Sequence, residues 1–308
     1  MIRLSVAPGI SHLSQELIDE IIDHLQVFCL QDDDLVERNA VFLKTSALIS
    51  RIFRSRSQKH LFTHIGVYMT GSNMAQSKLG RLNNVFSTNP RLASHVRIFT
   101  VRIRETDDLC SRSFDHPHFV ACLGHILQSG NTHPSPCGLQ IYLTTNDVYG
   151  HRSEAIALPW RLESKTYFIP SVVTSRLTSI EIRDLLNVPI ALFDTCSNLR
   201  KLNIFGIRLV PFEESERIPI EKRPLIRELL VADSEDLICR TGLRFDALER
   251  LVFQGSLNDM DMDTMQHIFN SNPSCLGYLN FFLPGTYQTK CRQILPLTNP
   301  SLSLKQRR

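Results

Sequence analysis

Apolar positions along the chain follow a helical period first and a strand period later. Leu17, Ile18, Ile21, Ile22 and Leu25 fall at i, i+1, i+4, i+5 and i+8, one stripe of a 3.6-residue repeat. Glu16, Asp19, Glu20 and Asp23 take the other side. Ser14 stands where a hydroxyl caps a first turn, and carboxylates suit that positive end. After a polar break with Asp32, Asp33 and Asp34, a second helical region covers 36–56. Val36, Ala40, Leu43, Ala47, Leu48 and Ile52 recur there at mostly three- and four-residue steps, and Arg51, Arg54 and Arg56 suit a helix C-terminus. Two or three short helices in about 45 residues cannot cover their own apolar faces well.

From position 61 short strands alternate with helices. The pattern predicts strands at 65–69, 95–103 and 138–145 and helices at 78–86 and 119–127, with 146–170 (containing Trp160) as a long loop or irregular insertion. The second half repeats one template. LTSIEI (177–182), LRKLNI (199–204), IRELLV (226–231), LERLVF (248–253) and LGYLNF (276–281) each set an aliphatic residue at the first and fourth places and an aliphatic or aromatic one at the sixth. Their central anchors Ile180, Leu202, Leu229, Leu251 and Leu279 are spaced by 22, 27, 22 and 28 residues. That is the L-x-x-L-x-L strand at the period of a leucine-rich repeat. Helices are predicted between strands at 188–196 and 262–269. The competing arrangement is an ordinary α/β domain whose aliphatic strands resemble one another by chance.

Composition then narrows the function classes. The 308 residues are 43% hydrophobic and 21% charged, ordinary globular values with ample material for a core. A net charge of +3 is too small to make nucleic acid or an anionic membrane the expected partner. No apolar run approaches the roughly 20 residues of a membrane span, and residues 1–10 lack the features of a signal peptide. The eight cysteines, at 29, 110, 122, 137, 196, 239, 275 and 291, form no C-x-x-C pair. They read as small buried residues in a reducing compartment, cytoplasm or nucleus.

Residues for bond chemistry are not found at recognisable spacing. The chain holds no G-x-S-x-G, no phosphate-binding glycine loop and no H-E-x-x-H, so no catalytic residue, cofactor or metal ligand is assigned. Asp115, His116 and His118, with Cys110 and Cys122 nearby, are read as a polar helix entry with Pro117 in its first turn. An enzyme would need a pocket assembled from 104–175.

A small helical module ahead of such repeats resembles the F-box proteins, most of all their large fungal group. Leu13, Glu16, Leu17, Ile18, Ile21, Ile22 and Leu25 follow the L-P-x-E-[LI]-[LI]-x-x-I-[LF]-x-x-L opening, with Ser14 in place of the proline. Asp34 and Leu35 match the inter-helix D-L, and 47–53 match the closing V-[CS]-[KR]-x-[WF], with Phe53 at the aromatic place. Arg56-Ser57-Gln58 and His60-Leu61-Phe62 are also similar to that group. The resemblance covers about 50 residues. It implies a substrate receptor of a Skp–cullin–F-box ubiquitin ligase, performing no chemistry itself. Adaptor contacts would be Leu13, Glu16, Leu17, Ile18, Ile21, Ile22, Leu25, Leu48, Ile49 and Phe53. Through a Skp-family adaptor the chain would reach a cullin, while the repeats hold a target protein of unknown identity, with Arg183, Lys201, Asn203 and Arg250 among the candidate positions. The expected organisation is an α/β repeat protein: an N-terminal segment 1–10, an F-box-like helical module 11–60, an irregular first part of the repeat domain 61–175, leucine-rich repeats 176–283 and a tail 284–308 ending in a basic LKQRR. The alternative is an interaction scaffold whose module no longer docks.

Overall fold

The computed structural model describes residues 14–27, 41–48, 51–69, 73–104, 116–128, 136–144, 176–185, 188–189, 191–207, 209–210, 219–232, 234, 243–254 and 276–282. The predicted features at 1–10, 32–35, 146–170, 262–269 and 284–308 lie outside these residues, as do Leu13, Ile49 and Asp115.

Three helices open the chain: α1 (Gln15–Val27), α2 (41–48) and α3 (Arg51–Thr63). Strand β1 (His64–Met69) follows α3 with no residue between. Helices α4 (Asn73–Thr88) and α5 (Pro90–Ser94) lead to β2 (Ile98–Arg104), and α6 (Pro117–Gln128) leads to β3 (Cys137–Thr144). Then come β4 (Leu177–Arg183), β5 (Val188–Pro189), α7 (Ala191–Asp194), β6 (Lys201–Phe205), β7 (Leu209–Val210), β8 (Glu228–Ala232), β9 (Arg250–Gln254) and β10 (Tyr278–Phe282).

Eight strands form one all-parallel sheet in the order β1-β2-β3-β4-β6-β8-β9-β10. Each pairs only with the strands of this sheet that precede and follow it along the chain, so the order never reverses as it does in a doubly wound sheet. The five anchors occupy a single register row, Ile180–Leu202–Leu229–Leu251–Leu279, and the row continues through Leu139, Phe99 and Ile65. The first three strands therefore carry the same template, with Phe62, Val96 and Pro136 at its first place.

In four of the five repeats the strand starts two residues later than the template does. Leu199, Ile226, Leu248 and Leu276 are buried in the preceding turn, where the backbone has already begun to pair: Arg227 N donates to Arg200 O at 2.8 Å and Glu249 N to Arg227 O at 2.8 Å. The helix expected over 188–196 shrinks to the four residues of α7. Val188 and Pro189 instead pair with Leu209 and Val210 in a separate two-stranded ribbon, where proline's missing N–H is tolerated.

The second helical region also differs from expectation at its end: α3 carries on past Arg51, Arg54 and Arg56 to Thr63, so these cations do not close a helix. Arg54 Nε donates to the Ala47 carbonyl at 3.4 Å.

Two hydrophobic cores result. The large one joins the inward rows of the sheet to α4, α5, α6 and α7, with Phe86, Phe99, Phe119 and Phe193 fully buried. The small one holds Ile18, Ile22 and Leu43, with Phe53 and Leu61 against it. Helix α3 belongs to both: Phe53 and Leu61 face the small core, whereas Phe62 packs on the large one, its ring 6.2 Å from that of Phe86. Cys122, Cys137 and Cys196 are buried thiols outside any disulfide, and burial pushes them up to about 12, 11 and 12, where they are unreactive.

The strand ends repeat a backbone device. Asp184 after β4 and Gly206 after β6 both have positive φ, 56° and 58°, and each N–H bonds the next strand, Asp184 N to Phe205 O and Gly206 N to Ala232 O, both at 2.8 Å. A Cβ on Gly206 would stand 2.8 Å from Asp184 Oδ1, whereas one on Gly66 would meet nothing within 4 Å. Gly206→Ala is therefore expected to lower unfolding free energy by about 1–2 kcal/mol, while Gly66→Ala leaves it unchanged or raises it by about 0.5 kcal/mol. Urea titration of both variants checks the contrast.

Asp194 is buried in the large core, its Oδ1 without a hydrogen-bond partner, and desolvation raises its pKa from 3.8 to about 6 against the lowering pull of Arg223. The folded state holds this proton more tightly than the unfolded state does. Stability from this group thus falls as pH rises from about 4 through 6. Asp194→Asn should raise the melting temperature relative to the native chain at pH 8, with a smaller gain at pH 5.

Candidate docking surfaces

Ser14 precedes helix α1, and its Oγ accepts from Leu17 N at 3.4 Å while its carbonyl accepts from Ile18 N at 3.2 Å. The Glu16 carboxyl sits below its ordinary range through its own backbone N–H and then the Ser14 hydroxyl. Gln15 Nε2 donates to Asp19 Oδ1 at 2.8 Å one turn on. These contacts start the helix where the pattern placed it.

The structure divides the predicted stripe lengthwise. Ile18 and Ile22 are each 1% exposed and form the module's own core with Leu43. Leu17 and Ile21, one residue earlier in each turn, are 49% and 50% exposed. A 100° step around the axis separates the two roles. Phe53 is half-buried against the small core, and Glu16 is exposed. Leu48 is 81% exposed at the end of α2, and Leu25 lies in α1 with its side chain outside the described set.

Sequence reasoning missed other parts of this surface. Val41, Phe42 and Ile52 are 55%, 59% and 46% exposed. Among the described residues seven large apolar side chains are exposed, and six of them belong to α1, α2 and α3; Val85 is the other. Val41 and Phe42 stand beside the Leu43 that points inward, so an apolar triplet on a short helix was the available signal.

An ionic clasp ties α1 to α3. Arg56 donates to both Asp23 oxygens, to Oδ1 at 2.6 Å through Nε and to Oδ2 through Nη2, and His60 Nε2 contributes a third bond to Oδ1 at 2.7 Å. A carboxylate only accepts, so His60 carries its proton on Nε2. Asp23 is 40% exposed, which limits the clasp to about 1 kcal/mol. Burying Ile18 and Ile22 contributes about 2 kcal/mol each. Apolar contact therefore holds α1 in place more than the clasp does.

The sheet's outward face carries a second arrangement. His64, Thr100, Gln140, Glu181 and Asn203 lie on five successive strands and are linked by hydrogen bonds. Thr100 Oγ1 donates to Gln140 Oε1 at 2.7 Å, so His64 Nε2, 2.8 Å away, is the donor to Thr100. Desolvation, then the charge of Arg102, holds His64 below its ordinary pKa. Gln140 Nε2 and Asn203 Nδ2 each reach Glu181 Oε2 at 3.3 Å, and Arg183 reaches Oε1 through Nε at 2.8 Å and Nη2 at 2.6 Å. Glu181 is 8% exposed. The Arg183 guanidinium lies 4.2 Å over the Phe205 ring, Arg250 lies 4.9 Å over Tyr278, and Lys201 pairs with Glu228 at 3.1 Å. Arg183, Lys201, Asn203 and Arg250 thus all fall in outward rows.

His116 and His118 sit at the entry of α6, where Pro117 is the first helical residue, and His118 faces Asn83 of α4 at 3.4 Å. Among the described residues no three His, Cys, Asp or Glu side chains gather as a metal site, and no helix is long and apolar enough to cross a membrane. Searches against protein-family models and curated protein sequences found no match for the chain.

The Asp23 carboxyl is held far below its usual range by the Arg56 hydrogen bonds, then by His60. Its contribution is present above the unfolded value of 3.8 and is lost as pH falls below it. Asp23→Asn is expected to lower stability by about 1 kcal/mol at pH 7 and by less at pH 3. Paired denaturant titrations at the two values measure this.

Proposed function

We propose that the chain is the substrate-receptor subunit of a Skp–cullin–F-box type ubiquitin ligase. The observation that carries this reading is the exposed apolar surface of the helical module. A helical module that leaves Leu17, Ile21, Phe42 and Leu48 each at least 49% exposed has surface suited to another protein. A helix face entering an apolar groove of a Skp-family adaptor would bury it at about 25 cal/mol per Å². Ile18, Ile22 and Phe53 then act from beneath, holding α1 against α2 and α3, and Leu17, Ile21 and Leu48 make the contact.

The repeat sheet is read as an irregular leucine-rich-repeat solenoid. In support stand sequential parallel strands, anchors aligned in one row, and a period of 22 to 28 residues. Its outward rows would hold the target protein, raising the local concentration of target lysines near an enzyme carried by the cullin. The receptor itself makes and breaks no bond, and it would work in the cytoplasm or nucleus.

Co-expression of the full chain with a Skp-family adaptor, followed by affinity capture and size exclusion, tests the module. The native chain is expected to co-elute with the adaptor. Leu17→Asp with Ile21→Asp should abolish co-elution and leave the melting temperature nearly unchanged, because both side chains are already half in water. A folded native chain that elutes alone would replace this reading with that of a free-standing interaction scaffold.

A further inference from the structure

We infer that the entry of α6 and the facing turn of α4 form a divalent metal site, with His116, His118 and Asn83 as donors and zinc as the ion. The site is independent of the role proposed for the helical module and of the outward face of the sheet.

Two atoms without partners mark the place. Asn83 Oδ1 and His116 Nδ1 are both buried, and neither has a hydrogen-bond partner among the described residues. Such atoms are rare in folded proteins and point to a bound ion or water. His118 adjoins both residues: its ring centre is 5.4 Å from that of His116, and its Nδ1 is 3.4 Å from the Asn83 amide nitrogen.

The backbone sets all three in place. His116 precedes Pro117, the first residue of α6, and its carbonyl accepts from Phe119 N at 2.9 Å and Val120 N at 3.1 Å. Gly80, one turn before Asn83 on α4, leaves room for His118, since a Cβ there would stand 3.4 Å from both Cδ2 and Nε2 of that ring. The opposite corner of the ring, Nδ1, is the one turned to Asn83.

Both distances fit a single ion. Tetrahedral bonds of about 2.05 Å place neighbouring donors about 3.3 Å apart, and the centres of two chelating imidazoles about 5.2 Å apart. The observed 3.4 Å and 5.4 Å lie within about 0.2 Å of these values. As a hydrogen bond, by contrast, the 3.4 Å contact is long. A half-turn of the Asn83 amide exchanges its nitrogen and oxygen and brings Oδ1 to face His118 Nδ1.

Donor chemistry selects the ion. Two imidazole nitrogens and an amide oxygen suit zinc, whereas calcium and magnesium take oxygen ligands. Three protein donors leave the fourth tetrahedral position to water, and His118 is exposed, so the ion has a way in. Cys122, one turn past His118, is not a donor, because its Sγ is directed to the Leu79 carbonyl at 3.7 Å. The positive end of α6 opposes a cation, but that partial charge is small beside three coordinate bonds. Bound zinc would join α4 to α6, two helices of the large core.

The probe is zinc itself, titrated into the reduced, chelator-treated full chain in competition with a chromophoric zinc indicator. His116→Gln with His118→Gln separates this site from any zinc held by the eight cysteines. It is expected to weaken one equivalent at least about a hundredfold, the upper end of what losing an outer-shell partner costs. His125→Gln alters another histidine of α6, 3.1 Å from Ser87, and should change binding by less than about twofold. Asn83→Asp covers the case in which the histidine variant fails to fold. It places a carboxylate at the third position, so binding should tighten and zinc should raise the melting temperature further than in the native chain. Equal binding by the native chain and the folded double histidine variant, equal weakening by His125→Gln, or no tightening by Asn83→Asp would each overturn the inference.

Discussion

Parallel pairing of strands that follow one another along the chain is the constraint on which everything else rests. A parallel neighbour can be reached only by a crossover that returns over the sheet. Here every described crossover helix joins one core with the inward rows. That side must be apolar at every second strand position, which is why Ile65, Phe99, Leu139, Ile180, Leu202, Leu229, Leu251 and Leu279 form one unbroken row. Register follows, because a slip of one residue would drive this row outward and the polar ladder into the core.

The same constraint frees the opposite face. Its described residues make contacts among themselves, and they form a hydrogen-bonded line from His64 to Asn203. Each member sits on a different strand. The line exists only because the core rows hold five strands in step, so polar order on one side is a product of apolar order on the other.

Helix α3 connects this sheet to the helical module. It enters β1 directly, and its residues face both cores, Phe53 and Leu61 one and Phe62 the other. Any movement of the module relative to β1 would have to bend a continuous helix or strip Phe62 from Phe86. The Asp23 clasp extends that rigidity to α1. A surface on α1 and a surface on the sheet are therefore held in a set relation by packing and the clasp together.

Much of this was legible in the linear chain, since local period reports which side of an element is apolar. The stripe on α1, the five strand anchors and the entry of α6 at Pro117 all follow from spacing. Period does not say what covers an apolar side. Ile18 and Leu17 look alike in sequence, yet one is 1% and the other 49% exposed, because α2 and α3 meet α1 along one edge of the stripe only. The first three repeats were hidden because Phe62, Val96 and Pro136 fill a place elsewhere taken by leucine or isoleucine. The ladder through Glu181 joins residues separated by 22 to 41 positions, and no local pattern encodes such a meeting. Sequence by itself determined which sides of the elements are apolar; the tertiary structure alone decided which of those sides remain open, because burial depends on neighbours brought from far along the chain.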